Sequence, residues 1–207
     1  MHKIDELGAE PMDLPALRAY RGAGPNILFV GGLRPNKGHL RALDAFAAYR
    51  QMSTRPARLF FVGSFDPHLA SYVEELKTKV TDLGLESSVI FARSVTPAQL
   101  RSFYYMASAF LCVSEHEGFC VPLVESMFFR VPVVAWDTTA VGDTLGDAGI
   151  LLPSAHPEPL AKALDEVIEN PLLARGLADK GRERYEARFT TRAIRANLES
   201  LLDEVPR

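Results

Sequence analysis

Short apolar runs return along the chain with polar, turn-forming stretches between them. Six of these runs read as strands, near residues 27–31, 58–63, 88–92, 109–113, 132–136 and 149–152. The stretch Ala109 to Ser114 (AFLCVS) is typical: it is apolar without polar alternation, as expected of a parallel strand buried on both faces. Most of the intervals carry apolar residues at helical spacing, and Thr96-Pro97-Ala98-Gln99 forms a capping box with proline at the first helical position. Strand-then-helix repeats of this kind predict an α/β fold, a doubly wound, mostly parallel sheet of about six strands with flanking helices. From about residue 157 the chain turns helical and charged, which predicts a helical C-terminus.

Ligands of such sheets sit beyond the carboxyl ends of the strands, near the point where strand order reverses. Lys37, Gly63, Arg93 and Glu117 each follow the end of an expected strand. The densest signal is EHEGFCVPLVESMFF at 115–129, with Glu117 and Glu125 eight positions apart around Gly118 and Pro122. Leu123, Val124, Met127 and Phe128 recur at helical intervals, and Pro122 suits the first helical position. Glu117 is thus expected in a strand-to-helix turn and Glu125 about one turn inside the helix. At a helical rise of about 1.5 Å per residue the two are separated by roughly 12 Å, comparable to a nucleoside diphosphate sugar. The helix start between them offers free N–H groups and a positive dipole end to a phosphate, and Gly118 lets the backbone come close. Ordinary solvated carboxylates flanking a helix start are the bland alternative. Lys37 adds a cation in the first turn of a helix, an unfavourable place unless an anion is near.

The string from Glu117 to Met127 resembles the EGFGxPxxEAM signature of family 4 retaining glycosyltransferases, group 1 glycosyl transferases of GT-B architecture. Cys120 stands where that signature has its second glycine, and Ser126 where it has alanine. Upstream, NILFVGGLRPNKG at 26–38 is similar to the family's VGRLxPxKG. There the lysine falls on Lys37, whereas the arginine position is taken by Gly32 and Arg34 comes two residues later. Residues 58–63 (RLFFVG) resemble the second strand and its glycine, and 89–95 (VIFARSV) resemble VxFxGxV with Arg93 in place of the glycine.

The resemblance implies a Rossmann-like donor-binding domain over 26–207, with 1–25 a linker or leftover of an N-terminal acceptor domain that this chain lacks. It implies a nucleotide sugar as donor, UDP-, GDP- or ADP-linked, with no cofactor and no metal. Lys37, Glu117 and Arg34 would carry catalysis. Gly31, Gly32, Gly63, Arg93, Ser94, Val95, His116, Gly118, Phe119, Cys120, Val121, Pro122, Leu123 and Glu125 would line the donor, Glu125 at the ribose and Glu117 at sugar hydroxyls. The intact enzyme would move a hexose to an acceptor hydroxyl with retention, as in polysaccharide biosynthesis, and the isolated chain would be inactive. Two rivals remain open, a nucleotide-binding α/β module without turnover and a sugar-nucleotide epimerase of the same architecture.

Composition narrows the partners. A formal charge of −3 and the lack of a basic run interleaved with aromatics give no reason to expect nucleic acid. A hydrophobic share of 47% is ordinary for a globular domain. No apolar stretch approaches the ~18–20 residues of a bilayer span, and the N-terminus lacks a signal peptide's apolar region, so cytoplasmic residence is the expectation. The arginines and lysines from Arg175 onward are interspersed with acids and read as a solvated helical face, with membrane-surface association of the whole enzyme as the alternative. Cys112 and Cys120 lack zinc-like spacing and read as reduced packing residues, and His39, His68, His116 and His156 are scattered.

Overall fold

Every expected strand forms, each within a residue of its expected bounds. In this computed structural model, which describes residues 2–20 and 24–203, the chain runs α1 (His2–Ala9), α2 (Leu14–Tyr20), β1 (Asn26–Val30), α3 (His39–Met52), β2 (Arg58–Val62), α4 (Ala70–Asp82), β3 (Val89–Ala92), α5 (Pro97–Met106), β4 (Ala109–Cys112), α6 (Val121–Phe128), β5 (Val133–Trp136), α7 (Val141–Leu145), β6 (Gly149–Leu152), α8 (Pro157–Glu169), α9 (Pro171–Arg188) and α10 (Thr191–Asp203). The strands pair in the order β3-β2-β1-β4-β5-β6, all in parallel. The order reverses between β1 and β4. That switch point is where a doubly wound sheet opens a crevice at its carboxyl edge.

The period-two alternation of side chains explains why the strands are apolar throughout. Ile27, Phe29, Leu59, Phe61, Leu111 and Val134 point to one face, where α3, α4 and α8 cover them. Leu28, Phe60, Val62, Phe110, Val133 and Ala135 point to the other, under α5, α6 and α9. At about 25 cal/mol per Å² of apolar surface, two such layers are the dominant stabilising contribution.

Residues 2–20, within the stretch 1–25 expected as a linker, carry two short helices laid on this second face. Ile4 and Leu7 are buried there, and the Tyr185 hydroxyl donates to Asp5 at 3.0 Å. Residues 1 and 21–23 of that stretch, and 204–207 at the other end, lie outside the described residues. Among the described residues no helix is long and apolar enough to cross a membrane.

The capping box before α5 forms as written: Thr96 Oγ1 accepts from the Gln99 N–H at 3.2 Å, and Gln99 Oε1 accepts from the Thr96 N–H at 3.0 Å. Two glycines hold the carboxyl edge together. A Cβ on Gly63 would lie 2.0 Å from the Gly31 carbonyl, so the ends of β1 and β2 can approach only without a side chain. Gly38 has φ +80°, and its Cβ would lie 2.2 Å from the Val113 carbonyl. It lets α3 begin against the end of β4.

His39 opens α3 and is wholly buried. Its ring packs on Phe29 and Phe61 at 4.6 and 5.0 Å between centroids, and neither ring nitrogen has a hydrogen-bond partner among the described residues. Burial pushes its pKa down from 6.5 to about 4. Between those values the unfolded chain binds a proton that the folded chain does not, so stability falls as pH drops through this window, by up to about 3 kcal/mol. Urea unfolding of the wild type and His39→Phe between pH 7 and pH 4 should show this slope flattened in the variant; equal slopes would rule the histidine out as its source.

Candidate functional site

The two loops that leave the sheet at the switch point run from Gly31 to Gly38 after β1 and from Val113 to Cys120 after β4. Backbone bonds continue beyond the strand ends: the Gly31 N–H donates to the Val62 carbonyl at 2.9 Å, and the Glu115 N–H to the Asn36 carbonyl at 2.9 Å. Across the opening Lys37 Nζ donates to Glu117 Oε1 at 2.7 Å, with the side chains 25% and 10% exposed. The two residues singled out from separate motifs are therefore an ion pair. Partial burial makes it stronger than a surface pair, and loss of one partner leaves the other charge uncompensated.

The loop bearing Glu117 is clasped from both sides. From α3, the Arg41 guanidinium donates to Glu115 Oε1 at 2.6 Å and lies over the Trp136 ring, 5.3 Å from its centroid. On the β5 side, Thr138 Oγ1 donates to the Ser114 carbonyl at 2.8 Å. Thr139 Oγ1 accepts from the Glu117 N–H at 2.9 Å and donates to the Glu117 carbonyl at 3.0 Å. Thr144 Oγ1 donates to the Phe119 carbonyl at 3.0 Å.

Helix α6 begins at Val121, so Pro122 is its second residue, and Cys120 caps it with φ 57°. The left-handed region is costly for any residue with a side chain and suits the glycine of the resembled signature. Cys120 Sγ is buried 3.9 Å from Cys112 Sγ, and both thiols are free. Gly118 has open space around it, and Phe119 is partly exposed with its ring edge-on to Phe189 at 5.7 Å. Among the described residues the backbone N–H groups of Gly118 and Phe119 make no hydrogen bond. They are donors available to an anion beside a helix start.

The other expected residues fall on the same edge in different states. Arg34 is exposed and forms no ion pair among the described residues. Gly32 is open, with Ser64 Oγ the nearest side-chain atom to a Cβ there at 3.4 Å. Gly63 joins the ends of β1 and β2. Arg93 is exposed with its guanidinium over the Phe65 ring at 5.4 Å, Ser94 has φ 53°, and Val95 packs on the second core. His116 and Val121 are exposed.

Leu123, grouped with the donor-lining residues by its place in the motif, has a fully buried side chain, and its N–H donates to the Cys120 carbonyl at 3.0 Å.

Glu125 lies one turn into α6 but its carboxylate is occupied: Tyr104 donates to Oε2 at 2.7 Å. Burial raises the Glu125 pKa, and the Tyr104 hydrogen bond offsets only part of this. Burial likewise raises Tyr104 well above the usual phenol range, keeping it a donor. Tyr104 was not visible as a partner, because it lies on another helix with no motif around it. Thr138 and Thr139 could have been suspected, since they come two and three residues after the expected end of β5.

The family model described as glycosyl transferases group 1 matches residues 20–184. The chain is 34% identical over 157 residues to a D-inositol 3-phosphate glycosyltransferase of Acidothermus cellulolyticus, a match covering 72% of this chain and 34% of that protein. Its fold is similar to that of HepE from Anabaena, solved in complex with UDP, with a TM-score of 0.83 and 22% identity over 98% of this chain and 55% of that one. It is also similar to the C-terminal domain of the group 1 glycosyl transferase LpcC from Francisella tularensis, with a TM-score of 0.74 and 21% identity over 88% of this chain and 96% of that one. The chain thus spans about a third of the first relative, about half of HepE and nearly all of the isolated LpcC domain. It belongs to the group 1 glycosyl transferases.

Buried Glu125 should destabilise the fold only when ionised. Its folded-state pKa lies above the ordinary 4.5, so the penalty is absent below that value and sets in as pH rises through the raised one, opposite in sign to His39. Glu125→Gln should raise the thermal midpoint at pH 7 and give no gain at pH 4. A midpoint unchanged at both pH values would show that Glu125 is not held ionised against a burial cost.

Proposed function

We propose that this group 1 glycosyl transferase chain is the donor-binding part of a family 4 retaining enzyme, and that the crevice at the switch point holds a nucleotide sugar. The ion pair of Lys37 with Glu117 carries the reading, because it puts a cation and a hydroxyl-binding carboxylate side by side at the mouth of an anion-favouring helix start. Lys37, Arg34, which has no ion pair among the described residues, and the N–H groups of Gly118 and Phe119 would face the diphosphate. Glu117 would accept hydrogen bonds from sugar hydroxyls, and Glu125 from the ribose diol once its bond with Tyr104 is shared or exchanged. The backbone from Arg93 to Val95 would meet the base. The UDP bound in the HepE structure makes UDP the first nucleotide to try.

With an acceptor-binding domain completing the cleft, the reaction would be hexosyl transfer to a hydroxyl with retention at the anomeric carbon. Its transition state places positive charge on the sugar ring and negative charge on the departing diphosphate. Fixed donors aimed at the leaving group stabilise that state more than the ground state. The acceptor must be held in line with the donor and water kept out, which one half of a cleft does poorly. Transfer is accordingly assigned to the whole enzyme and donor binding to this chain.

A thermal-shift panel of UDP-, GDP- and ADP-hexoses against the 207-residue chain tests the reading. A ligand at about 100 times its dissociation constant adds about 2.7 kcal/mol, a shift of several degrees here. No shift with any of them at millimolar concentration would sink the donor-site assignment.

Lys37→Ala should weaken binding of the matching nucleoside diphosphate about tenfold, the effect of one charge-assisted hydrogen bond, while barely altering that of the free nucleoside. Isothermal titration with both ligands checks it. Equal affinity of variant and wild type for the diphosphate would remove Lys37 from the phosphate site.

A further inference from the structure

Thr139 combines two features that rarely coincide. Its φ of 42° is an outlier for a β-branched residue, which pays a steric cost in the left-handed region. Its hydroxyl meanwhile serves both main-chain groups of Glu117, accepting from the N–H at 2.9 Å and donating to the carbonyl at 3.0 Å. A glycine would occupy this backbone position without strain but would have no hydroxyl to offer. The strained conformation is what brings the hydroxyl onto Glu117.

We propose that Thr139 is a positioning residue for the donor sugar: it fixes the main chain of Glu117 so that the Glu117 carboxylate meets the sugar hydroxyls. This rests on the donor-site reading given above. The neighbouring Gly118 has no atom within 4 Å of where its Cβ would stand, so the loop has no packing of its own on that side. Thr138 ties down Ser114 and Thr144 ties down Phe119, which leaves Thr139 as the side chain bonded to the main chain of Glu117. Lys37 holds only the carboxylate end, through a flexible four-carbon stem. A hydrogen bond from a sugar hydroxyl requires the carboxylate to be placed to a few tenths of an ångström, and a side chain anchored at one end does not supply that.

The consequence differs from that of a residue kept for stability. Thr139→Gly relieves the backbone strain but gives up both hydrogen bonds and loosens the unfolded chain, so its thermal midpoint should change little, while the part of donor affinity that belongs to the sugar falls. Thr139→Val keeps the shape without the hydroxyl, and Thr139→Ser keeps the hydroxyl.

The test titrates the full chain and these variants with three pairs: UDP-glucose and UDP, GDP-mannose and GDP, ADP-glucose and ADP. For the pair that the wild type binds, Thr139→Val and Thr139→Gly should take the nucleotide sugar about tenfold more weakly and change the nucleoside diphosphate less than about twofold, with Thr139→Ser within about threefold of wild type for both. Unchanged affinity of Thr139→Val for both ligands overturns the proposal, and so does an equal loss of both, which would mark a general role in the fold. Amide exchange read by NMR adds an arm without ligand: the Glu117 N–H should exchange at least about fivefold faster in Thr139→Val, and an unchanged rate overturns the clasp. If the wild type binds none of the six compounds, the donor-site reading fails and takes this assignment with it; failure confined to the variants leaves that reading in place.

Discussion

Strand β1 is bonded to β2 on one side and to β4 on the other, and the site depends on that pairing. Chain connectivity carries β2 and β3 away in one direction and β5 and β6 in the other. The loops after β1 and β4 leave the sheet at that reversal, where a doubly wound sheet has its crevice. Their roots are held together because Gly38 lies against the Val113 carbonyl, where even a methyl group would collide. Lys37 precedes that contact by one residue and Glu117 follows Val113 by four. Their meeting at 2.7 Å follows from the backbone contact beside them.

Conformational strain collects at this same edge. Of the four non-glycine residues with positive φ among the described residues, Ser94, Cys120 and Thr139 follow β3, β4 and β5 on the carboxyl side. Such conformations cost of order 1–3 kcal/mol each and persist only where their surroundings over-determine them. Cys120 is held by burial in the second core and by the turn of helix that starts at Val121. Thr139 is held by its paired hydrogen bonds with Glu117. The two cores beneath contribute far more than these costs, so the edge can be strained without endangering the fold.

The architecture was legible because its signals are local. Apolar runs without alternation report strands buried on two faces, and the capping box at Thr96 reports a helix start; both depend on residues a few positions apart. The signature string likewise placed Glu117 in a turn and Glu125 one turn into a helix. What the string could not carry is the direction of a side chain. Glu125 turns to Tyr104, a contact made by packing two helices from different repeats, and burial then decides its protonation as much as its ligand would. The burial of Leu123 is a matter of the same kind: each turn of a helix that covers the sheet has a core side and an outer side, and motif membership does not say which side a residue takes. The clasp from β5 was missed because a threonine pair after a strand is chemically ordinary until the fold brings it onto Glu117.

The ion pair also accounts for how two charges are tolerated at this edge. A lysine at the mouth of a helix start would be repelled by the positive dipole end, and an isolated carboxylate 10% exposed would pay a desolvation cost. Each is the other's counter-charge. A diphosphate entering the crevice, on the reading proposed, competes with Glu117 for Lys37 and supplies the negative charge that the helix start favours. Glu117 then retains its main-chain anchor and exchanges a charged partner for neutral hydroxyls. On that same reading the pair fixes the end of the Lys37 side chain beside Glu117, so that part of the side-chain ordering cost is met before a donor arrives.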